Sequence, residues 1–359
     1  MADVRLTVKG TDFAGWKNIR IERGVDTISG VFGLEVSDRW SAADAPWDIK
    51  PGSECVVTID GSSLITGYVD VVRASYDATT RSLQISGRDK AADMVDSSAL
   101  NDPDSWTYVT IGKLAKELAD PFKIEVVDES GDSETFPLAK IQPGETAFEI
   151  LERYSRQRGV LTISDGAGKI VLTKPGQRRA DVALEQGKNI LRASGTADYS
   201  QRFSEYLVTG QTAGTDDVFG TDASQVEGRA RDAEIRSEIR SARRLLIVAP
   251  NSADAANMQA VAAWEATVRA ARGSPLTITA QDWYQTPGGR LWQPGEIVQV
   301  RSPWLQLKQS ADFLINSVRF SKSDGEGTIT ELDLLRPDAY KPNPNIKEQA
   351  MTWGGALDS

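Results

Sequence analysis

Apolar and polar residues alternate over short spans through residues 3–90, in VRLTVKG, NIRIERG, GVFGLEVSD, ECVVTID, SLITGYVDVVRASYD and RSLQISGRD. A period of two marks strands with one face buried. Turn pairs separate the runs, among them Pro51-Gly52 and Asp60-Gly61, where glycine supplies the backbone conformations that tight turns need. Several short strands at this spacing predict a small antiparallel barrel over residues 1–100. Within it, DFAGWKNIRIERGVDTISGVFGLEVSDRW (12–40) reads as two paired strands, with Trp16 and Trp40 at the ends and Arg20, Arg23 and Arg39 beside them.

From about residue 101 the period lengthens. TIGKLAKELAD (110–120) places Ile111, Leu114, Ala115 and Leu118 on one helical face, and PGETAFEILERYSRQRG (143–159) does the same with Ala147, Ile150, Leu151 and Tyr154 before Gly159. The strand FKIEVVD lies between these helices, and the hairpin VLTISDGAGKIVLTK turns through Asp165-Gly166. A small α/β module over 101–187 is the expectation. Strands then return. NILRASGTADYSQRFSEYLVTGQ reads as a hairpin, and helical patterns at 226–241 and 252–272 flank the strand LLIVAP. The predicted organisation is a second barrel from 188–211 and 274–340, a helical insertion over 212–273 holding the polar loop 212–225, and a C-terminal tail over 341–359.

The two strand-rich regions share a pattern. PGSECVVTI (51–59) and PGEIVQVRS (294–302) both open a strand with Pro-Gly followed by glutamate. VDVVRASYDATTRSLQISGRD (69–89) parallels INSVRFSKSDGEGTITELDLLRPD (315–338), with Val72-Arg73 matched to Val318-Arg319. DTISGVFGLEV (26–36) aligns with ADYSQRFSEYLV (197–208), Phe32 falling on Phe203. An internal duplication follows, giving a mainly β fold with α+β parts: two similar barrels, an inserted α/β module and a helical insertion. A three-fold ring of such chains would present six similar units, able to face a six-fold partner on one side and a three-fold partner on the other.

Composition narrows the chemistry. The chain has 359 residues, no histidine and one cysteine, Cys55. Histidine general bases, Ser-His-Asp and Cys-His nucleophiles and histidine-ligated metals are therefore excluded, as is an internal disulfide or multi-cysteine zinc site. Cys55 reads as a small apolar residue in its strand. The formal charge is −10, from 41 basic and 51 acidic side chains, so the surface as a whole repels nucleic-acid phosphates. The basic cluster RSEIRSARR (236–244) lies near Glu227, Glu234 and Glu238 and reads as surface ion pairing on a helix, without sequence-specific nucleic-acid binding. No apolar run approaches the ~20 residues that cross a bilayer. The start, MADVRLTVKG, reads as a strand without the apolar segment of a secretory signal, so folding in a cytoplasm is expected.

Candidate catalytic groups dissolve on inspection. Glu149 and Glu152 precede Arg153 and Arg156, a spacing that reads as helix-surface pairing with Glu145 nearby. GKLAKE and the Gly-Gly pairs lack the spacing of a phosphate-binding loop, and NDPD and ESGDSE lack a calcium-loop pattern. No catalytic residue, metal site or cofactor is assigned. The nine tryptophans are more informative. Trp264 and Trp283 read as core. Trp16, Trp40 and Trp304 stand at strand ends or in loops among polar residues, and Trp353 stands in the tail. Tryptophan and arginine dominate interface hot spots. The interface candidates are thus Trp16, Arg23, Arg39, Trp40, Trp304 and Trp353.

The N-terminal FAGWKNIRIERGVDTISGVFGLEVSDRW, the PGETAFEILERYSRQRG segment and the late LWQPGEIVQVRSPW together resemble the baseplate hub proteins of Mu-like contractile phages, the tail protein P family. That family is related in fold to the central hub of T-even baseplates and to the hub region of type VI secretion spike proteins. The resemblance spans residues 4–340. It implies a non-enzymatic virion protein, assembled in the host cytoplasm as a homotrimer. Its partners would be the tail tube or distal tail protein, the central spike and other baseplate proteins, around a channel through which DNA passes. From other classes, the alternatives are a tail-associated peptidoglycan-degrading enzyme, acting through carboxylates of the α/β module, and a glycan-binding module.

Overall fold

The computed structural model describes residues 3–38, 49–78, 81–210, 226–232, 234–235, 242–248 and 255–344. The first region contributes β1 (Val4–Val8), β2 (Thr11–Phe13), β3 (Asn18–Gly24), β4 (Val31–Asp38), β5 (Glu54–Ile59), β6 (Ser62–Tyr76) and β7 (Arg81–Asp89). Their order in space is β3-β4-β7-β6-β5-β1-β2, with every pair antiparallel. The alternation read from the sequence is the buried face: Val4, Leu6 and Val8 from β1 meet Cys55, Val57 and Ile59 from β5 in one core.

The α/β module follows, with α1 (Ala92–Asp96), β8 (Ser105–Thr110), α2 (Ile111–Ala119), β9 (Val126–Asp128), β10 (Thr135–Lys140), α3 (Ala147–Arg158), β11 (Leu161–Ser164) and β12 (Ile170–Thr173). Thr110 caps α2 by accepting the Lys113 amide. Thr146 and Glu149 form a reciprocal capping box on α3, and Gly159 ends that helix at φ 61°. The apolar faces of α2 and α3 share a core that includes Phe136 and Met94. Glu149 is therefore spent on the cap and does not pair with Arg153, which reaches Glu145 at 2.8 Å instead. Glu152 and Arg156 do pair, at 2.6 Å. The turn at Asp165-Gly166 packs the module onto β6. Thr66 Oγ1 donates to the Gly166 carbonyl at 2.8 Å, and a Cβ on Gly166 would stand 1.9 Å from the Ser63 carbonyl oxygen.

The last region supplies β13 (Leu184–Glu185) and β14 (Ile190–Gly195), then β15 (Glu205–Gly210), β16 (Val226–Arg231), β17 (Arg244–Val248) and α4 (Ala255–Arg272), and finally β18 (Leu276–Gln281), β19 (Ile297–Ser302), β20 (Leu307–Ser323) and β21 (Gly327–Leu335). Strands β15, β16 and β17 form a separate sheet in the order β16-β15-β17. Met258, Val261 and Ala262 of α4 pack with Val208 of β15. The others take the order β14-β18-β21-β20-β19-β13.

Three expectations change here. Residues 190–210 are not a hairpin, because β14 pairs β18 while β15 pairs β16 and β17. Residues 226–231 are strand rather than helix, the partner β15 overriding a charge spacing that suited a helix. Phe203 is not the counterpart of Phe32. It belongs to the inserted sheet, edge-on to Tyr206, and Leu276 of β18 takes the place that Phe32 has in β4. The polar loop 212–225, most of RSEIRSARR and most of the tail lie outside the described residues.

Apart from β2, the two strand orders are the same: β3-β4-β7-β6-β5-β1 and β14-β18-β21-β20-β19-β13. Details repeat with them. Each long strand carries a matching register shift against the strand that follows it, between Val69 and Val71 in β6 and between Ile315 and Ser317 in β20. Each Pro-Gly turn makes the same bonds. Gly52 donates to the Val69 carbonyl at 2.7 Å and Val69 to Ser53 at 3.0 Å; Gly295 donates to Ile315 at 2.8 Å and Ile315 to Glu296 at 2.8 Å. Both glycines have left-handed φ, 80° and 83°, which favours glycine over any other residue. No closed barrel forms among the described residues. Instead, β3 pairs with the distal half of β20, from Ser317 opposite Gly24 to Lys322 opposite Ile19, and merges both units into one thirteen-stranded sheet. An edge that would close a unit on itself is taken by its neighbour.

Candidate assembly interface

Ion pairs and hydrogen bonds tie the seam between the two units. Arg319 of β20 reaches across to Glu22 of β3, Nε to Oε2 at 3.0 Å, and also binds Glu331. Burial pushes the Glu22 carboxyl up, but bonds from Arg319 and Arg20 outweigh it and hold it below the usual range. Next along β3, Arg23 is buried. Its guanidinium donates to Gln293 Oε1 at 2.7 Å and to the Ser164 carbonyl, so it joins the first unit to both the second unit and the α/β module. Burial lowers its proton affinity, while the charges of Asp89 and Asp165 work against that. Asp89 accepts the amides of Gly30 at 2.7 Å and Ala91 at 3.1 Å. Burial raises its pKa to about 6, opposed by those amides, Ser164 and Arg23.

The sequence-derived interface residues separate on this frame. Trp16 is 4 % exposed and lies in the main core, its Nε1 donating to the Phe13 carbonyl at 3.2 Å. Trp16 and Arg23 are therefore internal, Trp16 to the main core and Arg23 to the seam, which lies within the chain. Their neighbourhood of polar residues in the sequence was misleading because alternate positions of a strand face opposite sides. Trp304 is 85 % exposed. It stands in a 3₁₀ turn, Pro303–Leu305, between β19 and β20, with its amide held by Gln186 Oε1 at 3.2 Å. Arg39, Trp40 and Trp353 lie outside the described residues. Trp283 is buried, donating to the Ser321 and Ile329 carbonyls, and Trp264 is half-buried, donating to the Lys341 carbonyl.

Other exposed apolar side chains escaped the sequence reading: Val71 and Tyr76 of β6 and Leu191 of β14. Their signal was the length of SLITGYVDVVRASYD, whose alternation of burial stops at Val69 while the strand continues. Among the described residues no group of three or more His, Cys, Asp or Glu side chains could hold a metal ion. Cys55 is buried, and burial pushes its thiol up to about 12. No helix of the described residues is long and apolar enough to cross a membrane.

Comparison with known proteins agrees with this architecture. Residues 3–89 match the N-terminal domain of Mu phage baseplate assembly protein GpP-like proteins. Residues 91–174 match the second domain of gp44-like baseplate hub proteins, and residues 254–343 the fourth domain of Mu phage baseplate assembly protein GpP. The baseplate hub protein gp44 of Escherichia phage Mu is 30 % identical over 345 residues, covering 94 % of this chain and 88 % of that protein. A tail protein of prophage MuSo2 from Shewanella oneidensis superimposes with a TM-score of 0.81 at 32 % identity, over 94 % of this chain and 99 % of the other. The tail protein from Neisseria meningitidis MC58 does so with 0.73 at 25 % identity, over 96 % and 99 %.

A β-rich chain matched over nearly its whole length by a baseplate hub protein and by phage tail proteins is a structural component of a phage tail. Within that class, it belongs to the family of Mu-like phage baseplate hub proteins.

Proposed function

We propose that this hub protein acts as a homotrimer whose duplicated strand units form a ring of pseudo-six-fold symmetry. The ring joins the six-fold tail tube to the three-fold central spike and leaves a channel for DNA. The observation that carries the reading is the repetition within the thirteen-stranded sheet: the same strand order, the same register shift and the same Pro-Gly bonds occur twice. Two such units per chain, closed by a three-fold axis, supply six equivalent positions. One ancestral unit, duplicated, accounts for the repeat, and the α/β module and the β15–β17 and α4 insertion lie outside it. The overall negative charge favours passage of DNA over its retention.

Native mass measurement tests this directly. A trimer at micromolar concentration is expected, with six lobes in class averages of the particle viewed down its axis. A chain that stays monomeric even with its tube and spike proteins present would overturn the reading. Trp304→Ala should weaken the trimer, or its hold on a partner protein, while leaving the melting temperature of the monomer unchanged, because the side chain touches little within its own chain.

A further inference from the structure

Among its described residues the chain carries two unfilled strand edges that mirror its own filled seam. In the seam, β3 pairs with β20 beyond the register shift, from Ser317 to Lys322. The counterpart of that half of β20 is Val71–Tyr76 of β6, beyond the equivalent shift. There β6 has only β7 beside it, since β5 pairs with β6 no further than Tyr68. The counterpart of β3 is β14, which has only β18 beside it. Among the described residues, neither edge has a strand partner.

We propose that these two edges pair with each other between neighbouring copies of this chain, β14 of one copy running antiparallel to Val71–Tyr76 of the next. The filled seam fixes the register. Phe320 lies opposite Ile21 and Ser321 opposite Arg20. Carried over through the matching strands β4 and β18, this sets Ala74 opposite Gly195, Ser75 opposite Ser194 and Tyr76 opposite Ala193.

The backbone groups point the required way. Thr196 and Asp198 donate inward, to the carbonyls of Pro275 and Gly273. In an antiparallel strand the alternate amides, those of Gly195 and Ala197, then face outward. In the filled seam the Asn316 carbonyl accepts the Val25 amide at 2.8 Å, and Asp70 stands at the position of Asn316.

The side chains agree. Every residue from Leu191 to Ser200 is exposed, as are Val71 and Arg73 to Tyr76, whereas the corresponding positions Ile19, Ile21 and Arg23 of β3 are buried. One step further, Asp77 comes opposite Arg192, which also meets Glu326 of its own chain at 3.2 Å. Trp304 flanks the same edge, because its neighbour Leu305 lies 3.5 Å from where a Cβ on Gly195 would stand. Unprotected edges of this kind invite strand addition, and a second copy carries the one complement for which the chain itself holds the template.

This proposal rests on the homotrimer reading but can fail without it. Ser75 and Ser194 form a pair without mutual backbone hydrogen bonds, where side chains come closest, so Ser75→Cys with Ser194→Cys should oxidise to covalent dimers and closed trimers on non-reducing gels. Buried Cys55 stays out of this reaction. Ser75→Cys with Ala193→Cys, slipped by one residue and thus facing opposite sides, should give monomer only. In the unmodified protein, hydrogen exchange at Gly195 and Ala197 should be slow in the assembled fraction and fast in monomer. A trimer by native mass that lacks the 75–194 cross-link, or in which both pairs cross-link alike, would overturn the strand pairing and leave the trimer standing. A protein that is monomeric throughout would overturn both.

Discussion

Arg23 and Asp89 show how single residues tie the parts of this hub together. Asp89 closes the first unit by holding the amides of Gly30 and Ala91, while Arg23 reaches from the same unit to Gln293 and Ser164. The carboxyl is buried, and burial raises its pKa from 3.8 to about 6. A group whose value is higher in the folded than in the unfolded state contributes stability below the unfolded value and loses it as pH rises through the folded one. Asp89 should therefore favour the native state at pH 4 relative to pH 7, by up to about 3 kcal/mol for a shift of this size. The check is the difference in unfolding free energy between the parent protein and Asp89→Asn at several pH values. The parent's advantage should shrink between pH 4 and pH 6 and level off above. A difference that does not change with pH would mean that Arg23 keeps Asp89 ionised throughout.

At the scale of elements, a buried ion pair sits at the end of the inserted sheet. Arg202 grips Asp232 through two bonds of 2.6 and 2.7 Å, both side chains being almost wholly buried, and also reaches Glu234 at 2.8 Å. Burial would push the Asp232 carboxyl up, but Arg202 more than offsets it and leaves the group below its ordinary range. Arg202→Met strands a buried carboxylate and should cost about 3–5 kcal/mol in chemical denaturation. Arg229→Met removes an exposed pair with Glu227 and should cost under about 1 kcal/mol. If both cost the same, Asp232 has found water or another partner.

That ion pair was invisible in the sequence because Arg202 and Asp232 are brought together only by the pairing of β15 with β16. The same physics divides the rest. Strands whose burial alternates, such as β1, β5 and β7, were legible, as were α2 and α3 with their periodic apolar faces. The capping box at Thr146 and Glu149 was also written locally, though it was read as an ion pair. Strand β16 was not legible, since VEGRAR carries charges at helical spacing and becomes a strand only beside β15. The recurring Pro-Gly and Val-Arg pairs fall at matching places in two sets of strands with the same order. The weak match of Phe32 to Phe203 failed because the insertion begins after β14, earlier than that match requires. Exposed Trp304 was recognisable as an interface candidate, whereas buried Trp16 and Arg23 were separable from it only once the seam was seen to lie within the chain.

For the whole molecule, assembly has to overcome charge. Each copy carries a formal −10, and a ring of like-charged copies repels itself over distances set by the ionic atmosphere, about 30 Å at 0.01 M salt and about 10 Å at 0.1 M. The proposed contact between copies consists mainly of backbone hydrogen bonds with Val71, Tyr76 and Leu191 beside them, which salt weakens little. The one added charge pair, Asp77 with Arg192, is exposed and contributes at most about 1 kcal/mol. Long-range repulsion should then dominate the salt response, and raising ionic strength from about 0.02 M to about 0.2 M should tighten the trimer severalfold. Sedimentation equilibrium at a series of protein concentrations measures this directly. A trimer that loosens as salt rises would show that ion pairs, rather than strand edges and apolar side chains, hold the copies together, and would overturn the edge formed by Val71–Tyr76 as the main contact.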